Sequence, residues 1–228
     1  MSTQETLWRE ICMPLTQRTV QLVERKQKEL TEIKWTDGEA NTDSGFSRVA
    51  CIACVEAWNE IKSEFPSYAT LTLEATAPDI TISFKKDAIV IAKGKIELKS
   101  GKNDSIPGST IGKLDINEPV IYCLRKTQGA FELHYGQYWM CMGETDKDLF
   151  QDRTPRPAVN FKKMHNSTTS LTYVHKEQND WVKHYAECAL NRINTGGRSW
   201  QDYLTKEVIR LFINNTSIEE FAKLKSAI

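Results

Sequence analysis

Between residues 71 and 98 apolar and polar side chains alternate with a period of two, the pattern of strands that lay one face on a core. Leu71, Leu73 and Ala75 alternate with Thr72 and Glu74 and predict a first strand. Ile80, Ile82 and Phe84 alternate with Thr81 and Ser83 and predict a second, headed by Asp79 on the face of Thr81 and Ser83. Residues 88 to 98 predict a third. Its opening run Ala88-Ile89-Val90-Ile91-Ala92 is apolar without a break, which predicts burial on both faces at the centre of a sheet. Gly94 predicts a bulge or bend in the same strand. Residues 119 to 125 and 131 to 142 add two more strands, with Gly129 in the turn between them.

Helical spacing brackets this sheet. Leu15, Thr19, Leu22, Val23, Leu30 and Ile33 give residues 5 to 34 the pattern of a helical arm, interrupted near Pro14. Such an arm either covers the core or offers a dimerisation surface. Residues 35 to 46 form a polar loop with two glycines. Ser47 then caps a helix to about residue 65, with an apolar stripe of Val49, Ile52, Ala53, Val55, Ala57 and Ile61. Residues 100 to 108 read as a loop, and Ser109 as the cap of a short helix to about Asn117. From residue 146 to 176 the chain is irregular, with Pro155 and Pro157. Residues 180 to 193 return to helix, ended by Gly196-Gly197. Another helix follows from Ser199 to Phe212, and Ser217 with Glu220 forms a capping box for the last. The expected class is α/β: a central mixed sheet of about five strands flanked by helices, with a helical C-terminal region. Residues 1–34 form the arm, 47–142 the sheet core and 143–228 the loop and helical region of a single domain.

Composition narrows the function. With 228 residues, 40% of them hydrophobic, one sizeable core is expected. Thirty basic and thirty acidic side chains balance, which argues against a purely electrostatic nucleic-acid binder. The balance is uneven locally: six lysines stand against Asp87 and Glu97 between residues 85 and 102. Arg153, Arg156, Lys162 and Lys163 stand against Asp152 in a second basic stretch. The polar run from His165 to Ser170 follows it, with side chains suited to phosphates and base edges and equally to a solvated loop. Six cysteines in a chain this long predict buried thiols and a reducing, cytoplasmic setting rather than a disulfide framework. Cys51-x-x-Cys54 has no second pair to complete a zinc site, and His184 with Cys188 reads as a partnership at the edge of a core. No apolar run approaches a membrane span, so no membrane partner is expected.

The chemistry concentrates in Glu97-Leu98-Lys99. Two residues apart on a strand, the acid and the amine leave one face while Ile96 and Leu98 enter the core. If the second and third strands pair, Asp79 and Glu97 converge on one hard cation with Lys99 beside it. Pro78-Asp79, a gap of seventeen residues and then Glu97-Leu98-Lys99 resembles the PD-(D/E)xK nuclease superfamily, and within it the type II restriction endonucleases. The resemblance covers about thirty residues and the order of elements around them. It implies a restriction-endonuclease-like sheet and Mg²⁺ held by Asp79, Glu97 and the main-chain carbonyl of Leu98. Lys99 would orient the attacking water or offset charge on the phosphorane. In some members the helix before the sheet supplies a third carboxylate; Glu56, one turn from Glu60, is the candidate here, the alternative being a solvated helix acid. The family pattern has a fuller helix after the motif lysine than this sequence offers. The implied function is Mg²⁺-dependent cleavage of double-stranded DNA at a short palindrome by a homodimer. A repair, junction or RNA endonuclease carries the same motif, and a non-catalytic nucleic-acid-binding protein is the alternative of a different class. The sequence has no Gly-rich phosphate loop, no nucleophile elbow and no dinucleotide fingerprint, and its four histidines have no metal spacing.

Overall fold

Leu7, Ile11, Leu15, Thr19, Leu22 and Val23 recur at steps of three and four, and all of them are buried. A helix that puts them on one side, α1 (Thr3–Arg25), is therefore strongly favoured over any break. It runs through Pro14, where an interruption was expected. The missing N–H leaves the Glu10 carbonyl one partner short, and the buried stripe on either side outweighs that loss. The break comes instead at Lys26, ahead of the short α2 (Gln27–Thr31). A computed structural model of the chain describes residues 3–32, 44–110, 113–126, 130–142 and 156–195, together with Ser217.

The next helix, α3 (Ser44–Ile61), begins three residues before the expected cap, so that Ser47 lies inside it and is buried. Its buried stripe is Phe46, Val49, Ala50, Ala53, Cys54, Ala57, Trp58 and Ile61, in which the adjacent pairs Val49-Ala50, Ala53-Cys54 and Ala57-Trp58 recur every four residues. Ile52, expected in the stripe, is 45% exposed. Helical conformation stops at Ile61, and a 3₁₀ turn (Lys62–Glu64) completes the segment.

Five strands follow in one sheet: β1 (Thr72–Thr76), β2 (Ile80–Lys86), β3 (Ile89–Gly101), then, after the short β4 (Ser105–Pro107), β5 (Pro119–Arg125) and β6 (Phe131–Gln137). The spatial order is β1-β2-β3-β5-β6, antiparallel throughout except for the parallel pair of β3 and β5. The chain is thus α/β with a mixed five-stranded sheet. Leu73, Ile82, Phe84, Ala92, Ile96, Ile121, Cys123, Leu133 and Tyr135 lie in one core with α1 and α3. Here α3 packs on β1 and β2, and α1 on β3, β5 and β6.

The long strand β3 changes partner along its length. Ile89 to Ile96 pair with β2, and Glu97 to Gly101 pair with β5. Its first residues are consequently not buried on both faces: Ile89 is 67% and Val90 39% exposed at the end of a hairpin. The two-residue turn has positive φ at Asp87 (49°) and Ala88 (67°), the twist that suits a tight hairpin. The bulge also differs from expectation. The register slips between Phe84 and Lys85, opposite Ile91, whereas Gly94 stays paired with Ile82. Glycine stands at 94 because a Cβ there would come within 2.4 Å of the Trp8 ring.

Past the sheet, a turn of helix, α4 (Tyr138–Cys141), replaces the second half of the strand expected to Met142. Of the helix expected from Ser109 to about Asn117, the described residues show 3₁₀ conformation at Lys113, whose N–H bonds the Thr110 carbonyl, and then a local turn in which the Asp115 side chain accepts from the Asn117 N–H. In the irregular stretch, β7 (Ala158–Asn160) pairs with β4, and a 3₁₀ turn (Phe161–Lys163) follows. A last described helix, α5 (Gln178–Thr195), covers residues 180 to 193 as expected. Ile33, most of the 35–46 loop, Gly129, Arg153, Pro155, Gly196-Gly197 and the helices expected from Ser199 and Ser217 lie outside the described residues.

Contacts gather the chain into two units. The first comprises Met1–Ser105, Glu118–Cys141 and Asn160–Val174 and contains the whole five-stranded sheet. The second comprises Ile106–Asn117, Met142–Val159 and His175–Ile228. Within it Asn117 exchanges two hydrogen bonds with the Lys176 backbone, and Gln178 bridges the backbone of Leu114 and Ile116.

Candidate active site

The register of the sheet brings the acids together. Ile80 pairs with Ile96 in the antiparallel ladder of β2 and β3, which sets Asp79 opposite Glu97 just beyond the end of β2. Val120 pairs with Glu97 in the parallel ladder of β3 and β5, which sets Glu118 level with Lys95. Glu118 is held there by its own carbonyl, which accepts from the Tyr138 N–H at 2.9 Å. The point where β3 passes from one partner strand to the other is therefore ringed by Asp79, Glu97 and Glu118, on the face turned away from Ile96 and the helices.

One ammonium sits among these three carboxylates, and it belongs to Lys95. Its Nζ lies 2.6 Å from Glu97 Oε2, 3.2 Å from Asp79 Oδ2 and 3.4 Å from both Glu118 oxygens. Lys99 bonds the other Glu97 oxygen, Oε1. Asp79 is fixed from its second oxygen by the Leu98 N–H at 3.1 Å. In a strand the N–H and C=O of one residue leave the same side, so the Leu98 carbonyl is directed to the side of Asp79, past the end of the β2 ladder. The peptide between Ala77 and Pro78, just before Asp79, is cis.

Glu97 is the most enclosed of these groups, with its side chain 5% exposed. Burial alone would raise its pKa; the charge of Lys99, hydrogen bonds from Lys95 and Lys99, and the charge of Lys95 outweigh it and hold the carboxyl down at about 2. Burial would lower the pKa of Lys95, and the Glu97 hydrogen bond with the charges of Glu118, Glu97 and Asp79 raises it instead. Both groups are charged across the neutral range.

The donor set suits a hard cation. Three carboxylates already lie within 3.4 Å of a single positive centre, and oxygen-only sets of this kind hold Mg²⁺. Asp79, Glu97 and Glu118, with the Leu98 carbonyl, are the groups that would hold it. Among the described residues, no group of three or more acidic, histidine or cysteine side chains stands in a ready-made metal geometry, and the Lys95 ammonium occupies the centre of this cluster.

The structure thus brings Asp79, Glu97 and Lys99 together, with Leu98 between them, and leaves Glu56 out. Glu56 lies on the exposed side of α3, 3.3 Å from Lys26. Cys51, whose Sγ faces the backbone carbonyl of Asp79, marks the side of α3 turned to the sheet, and five residues of helix turn Glu56 well away from it. Glu118 was missed from sequence, although Asn117-Glu118-Pro119 at the head of a buried strand carried a signal: an acid where β5 enters the sheet beside the motif strand.

Lys162 of the second basic stretch, and Asn166 and Ser167 of the polar run after it, are engaged within the chain. Lys162 pairs with Asp104 at 2.7 Å. Ser167 donates to Glu24, and its carbonyl accepts from Gln17 and Gln21 of α1. Asn166 turns back onto the Thr168 N–H and hydroxyl. All six cysteines are free and buried, and Cys188 lies 3.8 Å from His184 one turn away on α5. No helix among the described residues is long and apolar enough to cross a membrane. No protein-family model matches the chain, and no curated protein sequence matches it.

Proposed function

We propose that the chain is a Mg²⁺-dependent endonuclease that hydrolyses phosphodiester bonds of double-stranded DNA, most simply at a short palindromic site in the manner of type II restriction enzymes. One observation carries the reading: two acids eighteen residues apart in sequence meet around a single cation position, with Lys99 bonded to the second of them. Mg²⁺ in that position supplies charge neutralisation and a more acidic water. The protein's own part is positional. Asp79, held by the Leu98 N–H, and Glu97, held by Lys99, present fixed oxygen donors to the metal. Lys99 stands where an ammonium can orient a water and offset negative charge on a phosphoryl oxygen. The setting is a reducing, intracellular one, to which six free thiols are suited.

A second reading draws on Lys95. An ammonium that already satisfies three carboxylates is also what a purely structural salt-bridge network contains, and the sheet would then belong to a non-catalytic nucleic-acid-binding protein. Incubation with plasmid DNA and Mg²⁺, beside Lys99→Ala, separates them. Discrete fragments lost in the variant support restriction, and a smear supports non-specific cutting by a repair-type enzyme. Intact DNA with cleaved RNA assigns an RNA endonuclease; both intact, but bound, supports the binding protein.

A further inference from the structure

The lysine at the centre of the carboxylates is not the one in the motif. Lys95 and Lys99 leave the same face of β3 on either side of Glu97, yet their surroundings differ. Lys99 touches Glu97 alone among the three acids, from its outer oxygen. Lys95 reaches all three, at 2.6, 3.2 and 3.4 Å. A divalent ion and the Lys95 ammonium cannot share the same centre. The Lys95 side chain is 39% exposed, which leaves its flexible stem room to swing out toward solvent, whereas the Glu97 side chain is almost fully enclosed.

We propose that Lys95 is the internal counter-ion of the cluster, that a divalent cation binds by displacing its ammonium, and that Glu118 then serves as a third carboxylate ligand. The inference rests on the nuclease reading of Asp79 and Glu97. Lys95 is in these terms a positioning residue: it holds the three carboxylates together without metal and sets how tightly metal binds. If the ammonium occupies the centre nine-tenths of the time, metal affinity is reduced about tenfold relative to a chain without it.

Two measurements on the full chain test this, and neither depends on cleavage. In the first, the wild-type protein is reductively methylated at increasing Mn²⁺, and labelling of Lys95 is compared by mass spectrometry with that of Lys93, an exposed neighbour on the same strand face. Lys95 is expected to label more slowly than Lys93 without metal and to speed up several-fold as Mn²⁺ saturates. In the second, free Mn²⁺ is counted by electron paramagnetic resonance. Lys95→Met should bind about tenfold more tightly than wild type, Lys93→Met about as wild type does, and Glu118→Gln more weakly. A Lys95 labelling rate that stays flat while Mn²⁺ binds overturns the proposal. So does unchanged affinity in a folded Lys95→Met, or a wild-type protein that binds no Mn²⁺. Should Lys95→Met fail to fold, the wild-type labelling decides alone. The plasmid assay keeps the two readings apart: exchange at Lys95 without DNA cutting leaves this inference standing and removes the DNA endonuclease, and cutting with no exchange does the reverse.

Discussion

Glu97 places a negative charge where water hardly reaches, and such a charge is tolerated only with its partners in place. Its two oxygens are divided between Lys95 and Lys99, so a neutral isostere removes ligand charge while preserving shape. Glu97→Gln and Asp79→Asn are each expected to lower cleavage at least about a thousandfold, the scale of losing a group that acts on transition-state charge. DNA binding should be retained or strengthened in both, because a charge that repels phosphate is gone. Gel-shift and cleavage assays on the same preparations check the split; cutting at the wild-type rate by either variant would mean that these acids do no chemistry. Gly94 gives a second prediction at this scale. With the Trp8 ring 2.4 Å from the place of a Cβ, Gly94→Ala should destabilise the fold by about 1–3 kcal/mol through overpacking. Urea unfolding of Gly94→Ala, Trp8→Leu and the double variant checks the cause, since the double should cost less than the sum of the singles.

At the scale of elements, α1 and α3 each enclose a thiol deeply, Cys12 and Cys54. Burial pushes Cys12 and Cys54 up from 9.0 to about 12, and the nearby Thr19 hydroxyl offsets only part of the shift at Cys54. Their folded pKa values lie above the unfolded ones, so the unfolded chain loses these protons first. The stability they allow is complete below about pH 9 and is lost as pH rises toward 12. Each tenfold step in proton affinity is worth about 1.4 kcal/mol. Urea midpoints should therefore fall by at least about 2 kcal/mol equivalents between pH 8.5 and 10.5, with a shallower fall in Cys54→Ala. The same helix carries Pro14 without a break. Pro14→Ala restores one hydrogen bond at the cost of a looser unfolded chain, and a net gain of about 1–2 kcal/mol is expected from the unfolding midpoint.

At the scale of the whole molecule, one chain carries one cluster, and a cut through both strands of a palindrome is most simply made by two chains related by a two-fold axis. Leu15, Leu22, Val23 and Leu30, arm residues read from sequence as core cover or a dimerisation surface, are buried in the chain's own core. Any isologous interface must use other surface. Analytical ultracentrifugation with the cleaved duplex should show two chains per DNA, and a single chain that cuts both strands would point to sequential nicking.

The amino-acid sequence by itself determined which face each strand turns inward: Ile80, Ile82, Phe84 and Ile96 alternate into the core as the period of two requires. It also determined that Glu97 and Lys99 share the other face, because that follows from a spacing of two on one strand. Helix ends were less legible. Ser47 has the chemistry of a cap, but the helix starts at Ser44 and carries Phe46 into the core. Only the tertiary structure decided which lysine fills the cluster and which third acid joins it. Periodicity gives the face of a residue but not its neighbour across a ladder, and the register of β3 with β5 is set by packing at the far end of a seventeen-residue connection. That register, and not the motif, puts Glu118 beside Lys95.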